Sequence, residues 1–322
     1  MRMVFRADAT PQIGAGHVMR LSAIAEEAIK RGFECLFAGN IRDIEWLDDH
    51  VNKLGFSQVL KPENISRVMD NQSVLVIDSY HIPVDHFSLS PRSWKFIVSI
   101  SDAQTPAYVS KLVVAPAMDA GGINQKSSNF LFGPEFIPFR KSISKSEGVG
   151  DSTNLRLLVF GGGTDYFGMA PEVARLIRQK YNYREANFIY HDRLEIEPMD
   201  PRFKVFPFGS VLDSIINQSN VVITSASTSS FEILARGIPT GIIRLVGNQD
   251  NNFRALHEAE LVSLIGSRSD DGVWDFSLPG LEKLMLDAVY RQTLMERNLK
   301  VFDLEGASRI LEKISELYKE SQ

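Results

Sequence analysis

The residues best suited to chemistry lie in three stretches where glycines or hydroxyl-bearing side chains follow a short apolar run. The first reads Arg6-Ala7-Asp8-Ala9-Thr10-Pro11-Gln12-Ile13-Gly14-Ala15-Gly16-His17-Val18-Met19-Arg20. Gly14 and Gly16 permit a tight turn and a close backbone approach to a ligand, and His17 then falls at or near the start of a helix. Unpaired backbone N–H groups and the positive end of the helix dipole gather at such a start. That field disfavours an imidazolium, so His17 is expected to be neutral and able to accept a proton. A glycine turn of ordinary packing, with His17 as a cap or a buried ring, accounts for the same residues, and the local sequence leaves both readings open. The dinucleotide fingerprint G-x-G-x-x-G is not completed, because Met19 stands at its last position.

The second stretch is Phe160-Gly161-Gly162-Gly163-Thr164-Asp165. Its glycines allow close contact with a ligand, and the helix expected after it would favour an anion at its start; a flexible turn is the simpler alternative. It has no Lys-Ser/Thr pair of the P-loop type. The third, Thr224-Ser225-Ala226-Ser227-Thr228-Ser229-Ser230-Phe231-Glu232, leads from an apolar strand into a helix. Its hydroxyls and N–H groups suit a diphosphate, and Glu232 could accept hydrogen bonds from two ribose hydroxyls. Ser229 with Glu232 also fits the S-x-x-E capping box, which would make both residues helix caps. Asp78-Ser79-Tyr80-His81 ends another strand, where polar residues either face a ligand or simply finish the strand. His50, His86, His191 and His257 show no metal-ligand spacing and there is no Cys/His cluster, so no metal site is expected. No cofactor is expected either.

Short apolar runs alternating with longer amphipathic segments must position these residues. Strands are expected over 4–7, 33–38, 74–78, 96–100, 112–115, 155–160, 187–190, 221–224 and 240–243. Helices are expected over 17–31, 170–180, 229–236, 250–260, 278–298 and 306–319. The unbroken run Val74-Leu75-Val76-Ile77 reads as a strand buried on both faces. Residues 141–154, KSISKSEGVGDSTN, are polar and aperiodic and read as a linker between domains 1–148 and 153–322. The last helix is a candidate to pack back on the N-terminal domain. This alternation predicts an α/β fold with two parallel sheets, whose ligands gather beyond the carboxyl ends of the strands.

The chain has 322 residues, 44% hydrophobic and 23% charged, with a net charge of −5. That is a globular composition of two-domain length, and its acidic balance argues against nucleic acid as a partner. Cys35 is the single cysteine and lies in an apolar run. It reads as a small buried hydrophobe in a reducing compartment. With no apolar leader and no run of membrane-spanning length, a cytoplasmic location and no membrane insertion are expected. Oligomeric state is not legible.

Taken together, the motifs resemble a known family. R-A-D-A-T-P-Q-I-G-A-G-H-V-M-R looks like the opening signature of the UDP-sugar hydrolases of pseudaminic acid biosynthesis, which release UDP from UDP-2,4-diacetamido-2,4,6-trideoxy-β-L-altropyranose. The same order of motifs continues through D-S-Y-H at 78–81, S-D at 101–102, F-G-G-G-T-D at 160–165, the serine loop with Glu232, G-I-P at 237–239, N-Q at 248–249 and E-G-A-S-R at 305–309. Ser227-Thr228-Ser229 departs from the Gly-Gly-Ser/Thr pattern common there. The resemblance implies a GT-B-like fold, two Rossmann-like domains with parallel sheets facing across a cleft, and UDP held mainly by the C-terminal one. It places the family's catalytic histidine on His17, its motif tyrosine on Tyr80 and its ribose-binding glutamate on Glu232. The candidate catalytic residues are then His17, Tyr80 and Asp8. The candidate substrate and UDP contacts are Gly14, Gly16, Arg20, Gly162, Gly163, Thr164, Ser227, Thr228, Ser229, Glu232, Asn248 and Gln249.

The chemistry expected is metal-independent, inverting hydrolysis of the anomeric C–O bond. Ordinary glycosides need an acid as well as a base, whereas a UDP leaving group, with a second phosphate pKa of about 6, departs largely unprotonated. One base that activates water is sufficient. Two other readings share the fold: a glycosyltransferase whose nucleophile is an acceptor hydroxyl, and a sugar-nucleotide-binding protein without turnover.

Overall fold

A computed structural model describes residues 1–119, 123, 127, 129–145, 155–162, 165–178, 181, 183–190, 200–207 and 212–321, with Tyr190 and Pro207 described by backbone alone. Every apolar run read above as a strand forms one, four of them reaching a single residue past one of its ends. By its contacts the chain divides into two compact units, Met1–Lys141 with Leu304–Gln322, and Ser142–Asp303.

The first unit is built on β1 (Arg2–Arg6), α1 (Gly16–Lys30), β2 (Glu34–Ala38), α2 (Glu45–Lys53), β3 (Gln58–Leu60), β4 (Asp70–Ile77), β5 (Trp94–Ile100), β6 (Leu112–Ala115) and β7 (Asn129–Phe132). Its seven strands lie in the order β3-β2-β1-β4-β5-β6-β7, every pair parallel. Helix α1 forms because Val18, Leu21, Ala25 and Ala28 recur on one face and pack with Met3 and Phe5 of β1 in one apolar cluster. It ends where Gly32 adopts φ +79°, a left-handed conformation that glycine takes without strain.

The second unit comprises β8 (Arg156–Phe160), α3 (Met169–Ile177), β9 (Glu185–Tyr190), β10 (Phe203–Pro207), α4 (Leu212–Gln218), β11 (Val221–Ser225), α5 (Thr228–Ala235), β12 (Thr240–Arg244), α6 (Asp250–Glu258), β13 (Ser263–Arg268), β14 (Trp274–Phe276), α7 (Leu278–Leu286) and α8 (Ala288–Val301). Its strand order is β10-β9-β8-β11-β12-β13-β14, with only β14 antiparallel to its neighbour. Leu157 and Val159 of β8 face one apolar cluster and Leu158 and Phe160 the other, as the two-residue period of a strand requires. Both sheets reverse their winding between their first and fourth strands, β1/β4 and β8/β11. That reversal is where α/β sheets open a crevice for ligands.

One helix reading needs correction. The single helix expected over 278–298 is two, because Asp287 is extended (φ −100°, ψ 102°) and its side chain caps α8 by accepting from the Tyr290 N–H at 2.9 Å. The final helix α9 (Gly306–Glu320), named above as a candidate to pack back on the N-terminal domain, falls in the first unit. There Ile310, Leu311, Ile314 and Leu317 bury fully with α1, each stabilising by roughly 1.5–3 kcal/mol relative to exposure. Arg31 donates to Ser308 Oγ at 2.7 Å, and Arg309 to the Glu135 carbonyl at 2.9 Å. Among the described residues no helix is long and apolar enough to cross a membrane.

The docking of α9 makes a prediction. A Cβ at Gly306 would sit 2.1 Å from the Ile137 carbonyl oxygen, whereas one at Gly247 would meet only an arginine tip at 3.8 Å. Gly306→Ala should therefore destabilise by about 1–3 kcal/mol and Gly247→Ala by less than about 0.5 kcal/mol, as read from chemical denaturation midpoints.

Candidate active site

In the first unit the loop between β1 and α1 closes on itself before the helix begins. Gly14 takes φ +81°, its N–H donates to the Thr10 carbonyl at 2.7 Å, and the Ile13 N–H donates to Thr10 Oγ1 at 3.2 Å. Gly16 is the first residue of α1 and His17 the second; the preceding Ala15 offers no side-chain cap. His17 thus stands among uncapped N–H groups, with its ring only 5% exposed.

What orients the ring comes from sixty residues away. Asp78 follows β4, its N–H bonded to the Arg6 carbonyl at 3.0 Å, so it sits at the reversal of the sheet. Its Oδ1 is 2.6 Å from His17 Nδ1. Arg20, one turn along α1, grips the same carboxylate with Nε to Oδ2 at 2.8 Å and Nη2 to Oδ1 at 2.9 Å. A carboxylate only accepts and a guanidinium only donates, so Nδ1 carries a proton, and in a neutral ring the lone pair is then on Nε2. Burial pushes the Asp78 carboxyl up, but Arg20 and His17 outweigh it and hold it below the usual carboxylate range. Burial likewise opposes the Arg20 charge, and Asp78, Tyr80 and Asp102 outweigh that. The helix dipole by itself does not choose between the two ring nitrogens; Asp78, for which the sequence left open a ligand-facing residue or a strand end, does. Arg20, read as a substrate contact, has two of its donors committed to Asp78.

Tyr80 stands edge-on to the His17 ring, centroids 4.4 Å apart and planes at 85°. Its hydroxyl donates a short hydrogen bond to Asp102 Oδ2. Asp102 lies just past β5 and is itself fixed by the Gln104 N–H at 3.0 Å and the Thr105 hydroxyl at 3.3 Å. Burial first, and the neighbouring carboxylates second, raise the Tyr80 phenol above its ordinary value. Its one O–H is directed at Asp102 Oδ2. Asp8 is differently engaged: Arg6 holds it two-pronged at 2.6 and 2.8 Å, and the Asn40 N–H donates to it at 2.8 Å.

In the second unit the glycine loop does something the sequence reading did not foresee. Asp165, 1% exposed and at φ +42°, turns its carboxylate onto the start of α3, accepting from Met169 N at 2.9 Å and Ala170 N at 3.0 Å. Gly161 makes room for it; a Cβ there would lie 1.9 Å from Asp165 Oδ1. The helix start expected to favour an anion is already filled by the protein's own carboxyl group. Burial raises this carboxyl to about 7 despite the two N–H groups that pull it down.

The open helix start is that of α5. Its N-cap is Ser227, which makes no side-chain cap bond but accepts from the Ser225 hydroxyl at 2.9 Å. Thr228 and Ser229 are the first two helical residues, so the capping box built on Ser229 does not form. Gly162, at φ +97°, faces this loop: a Cβ there would lie 3.5 Å from Ser225 Oγ and 3.6 Å from Ser227 Oγ. Gly162 and Ser227–Ser229 are thus together at the reversal of the second sheet, with half-buried Glu232 one turn along α5. Gly163 and Thr164 lie outside the described residues. Asn248 is exposed, and Gln249 ties its own turn, accepting from the Leu245 N–H at 2.8 Å.

No protein-family model and no curated protein sequence matches this chain. Solved structures do. A putative UDP-N-acetylglucosamine 2-epimerase from Listeria monocytogenes is similar at 13% identity and a TM-score of 0.68, over 100% of this chain and 97% of that one. The spinosyn forosaminyltransferase SpnP is similar at 14% identity and 0.65, over 99% of each chain. S. aureus MnaA, in a co-structure with UDP, is similar at 12% and 0.61, over 97% and 95%. At such identities the likeness shows the fold, and the fold is GT-B-like: two α/β units, each on a mainly parallel sheet.

Asp165 supplies a test of this geometry. An unfolded aspartate titrates near 3.9, so between about pH 4 and 7 the folded chain holds a proton that the unfolded chain has released. Stability relative to Asp165→Asn should fall by about 2–4 kcal/mol as pH rises through that window and be flat on either side. Denaturant titrations of both proteins from pH 4 to 8 would read it.

Proposed function

We propose that this chain is a metal-independent UDP-sugar hydrolase in which His17 Nε2 takes a proton from the water that attacks the anomeric carbon. The observation that carries the proposal is the 2.6 Å contact between His17 Nδ1 and Asp78, which leaves the opposite nitrogen as a base. Its position at the sheet reversal, among uncapped N–H groups, supports the same role. Water attack with inversion expels UDP, whose terminal phosphate needs no proton to leave. Gly162 and Ser227–Ser229 would receive the diphosphate, since Ser227 leaves the α5 start without a side-chain cap bond and N–H groups at a helix start stabilise accumulating negative charge. Glu232 would take the ribose hydroxyls. The similar structures, a putative UDP-N-acetylglucosamine 2-epimerase, MnaA with UDP and a forosaminyltransferase, support a nucleotide-sugar ligand.

The opening signature narrows the substrate proposed to a UDP-linked 2,4-diacetamido-2,4,6-trideoxy sugar, cleaved on the way to a pseudaminic-type nonulosonic acid. A transferase on the same fold would use the His17–Asp78 pair to deprotonate an acceptor hydroxyl, and the glycosyltransferases among the similar structures favour keeping it as the second reading.

Incubation with a panel of UDP-sugars and no acceptor separates the two, following free UDP and the anomer of the sugar released. Hydrolysis should give stoichiometric UDP and the inverted anomer. His17→Ala should lower kcat by about 10²–10⁴-fold while leaving UDP affinity within a few-fold. UDP release only when an acceptor is added would establish the transferase, and an undiminished His17→Ala variant would remove His17 from the chemistry.

A further inference from the structure

The pair Asp78–Arg20 raises a question that the proposed reaction leaves unanswered. A carboxylate 2.6 Å from Nδ1 stabilises an imidazolium, and an imidazolium has no lone pair with which to accept a proton. Something must offset that pull if His17 is to be a base near neutrality. Among the described residues the titratable and charged groups nearest the ring are Arg20 from α1, Asp78 past β4 and Tyr80 in the following loop, with Asp102 past β5 behind the Tyr80 hydroxyl. His81, next to Tyr80, is exposed, its ring centroid 6.3 Å from the Tyr80 ring. Arg20 is the one permanent cation in this set, and its Nη2 is 3.2 Å from His17 Nδ1.

We infer that Arg20 is a positioning residue that holds the Asp78 carboxylate in a two-pronged grip and answers its charge, so that Asp78 orients His17 without locking it as an imidazolium. The geometry divides the carboxylate's work. Oδ2 is taken by Arg20 Nε, and Oδ1 is shared between Arg20 Nη2 and His17 Nδ1. With Arg20 in place, the carboxylate and guanidinium together present nearly no net charge to the ring, and the Nδ1–H bond serves to aim Nε2. Without it, a fully buried carboxylate keeps only His17 as a charge partner among the described residues. Lysine cannot reproduce the two-pronged bond, which is why arginine is the residue the site needs.

The inference rests on His17 acting as the base, and its test is chosen to stand apart from that reading. In protein labelled with ¹⁵N, long-range ring correlations give the titration midpoint of His17, assigned by its loss in His17→Ala. Arg20→Gln should move that midpoint up by about 1 pH unit, and the isosteric Asp78→Asn should move it down, because the guanidinium then faces the ring alone. The acid limb of kcat/KM for UDP release should follow in both directions. Opposite shifts are not what a purely structural arginine would give. An unmoved midpoint in either folded variant, or shifts of the same sign, overturns the role of Arg20. If Arg20→Gln does not fold by circular dichroism, Arg20→Met is read in its place, an upward shift supporting the role and an unmoved or downward midpoint removing it. Should the wild-type protein release no UDP, the proposed reaction fails while the ring titration still judges Arg20.

Discussion

A carboxylate with no exposure to water must have its charge answered inside the protein, and Asp78 is in that position. Removing a charge from water costs several kcal/mol unless partners compensate. Here the partners are two side chains of a single helix, His17 and Arg20, one turn apart on α1. The requirement joins three elements at one point: β1, whose Arg6 carbonyl receives the Asp78 N–H; β4, which delivers Asp78; and α1, which supplies both partners. The rest of the first unit can be read as what keeps those elements in register. The β1–β4 ladder runs from Met3 opposite Val74 to Arg6 opposite Ile77, and the apolar face of α1 shares one cluster with the sheet and with α9.

The two units use the same winding for different ends. Each reverses its sheet between a first and a fourth strand, and each puts a glycine-bearing loop after the first. In the first unit the helix that follows keeps its N-terminus uncapped and places an imidazole there. In the second, Asp165 fills the corresponding helix start, and the uncapped one comes after the fourth strand, at Ser227. A single buried carboxylate makes the difference, because it satisfies the donors that would otherwise meet an anion. The likeness of topology between the units therefore gives no licence to transfer a site from one to the other.

Much of the architecture was legible from composition and period. The strands are short because the apolar runs are short, and those at the centres of both sheets are apolar on both faces because helices or loops cover both sides. The polar stretch 141–154 marks one boundary in the sequence, and the contact division of the units falls within it, at Lys141/Ser142. The short elements were not legible. Strand β3 is half exposed, α4 has seven residues, and β14 pairs antiparallel at an edge, so none carries enough period to stand out. The break at Asp287 was hidden for a related reason. Apolar residues keep helical spacing through it, and only the capping of Tyr290 N–H by that side chain reveals two helices.

The site divides along the same line. The chain order alone determined that Gly14 would turn, that His17 would stand at a helix start and that a run of serines would lead into another, because these are properties of neighbours a few residues apart. Local order could not decide which carboxylate His17 meets, what occupies Arg20, or that Asp165 would close one anion site while Ser227 leaves another open. The His17–Asp78 contact spans 61 residues and the Arg20–Asp78 contacts 58, and such pairs exist only once parallel strands have been laid side by side. Hydrogen-bond partners at that separation are selected by sheet register, which is a property of the folded chain and not of any segment of it.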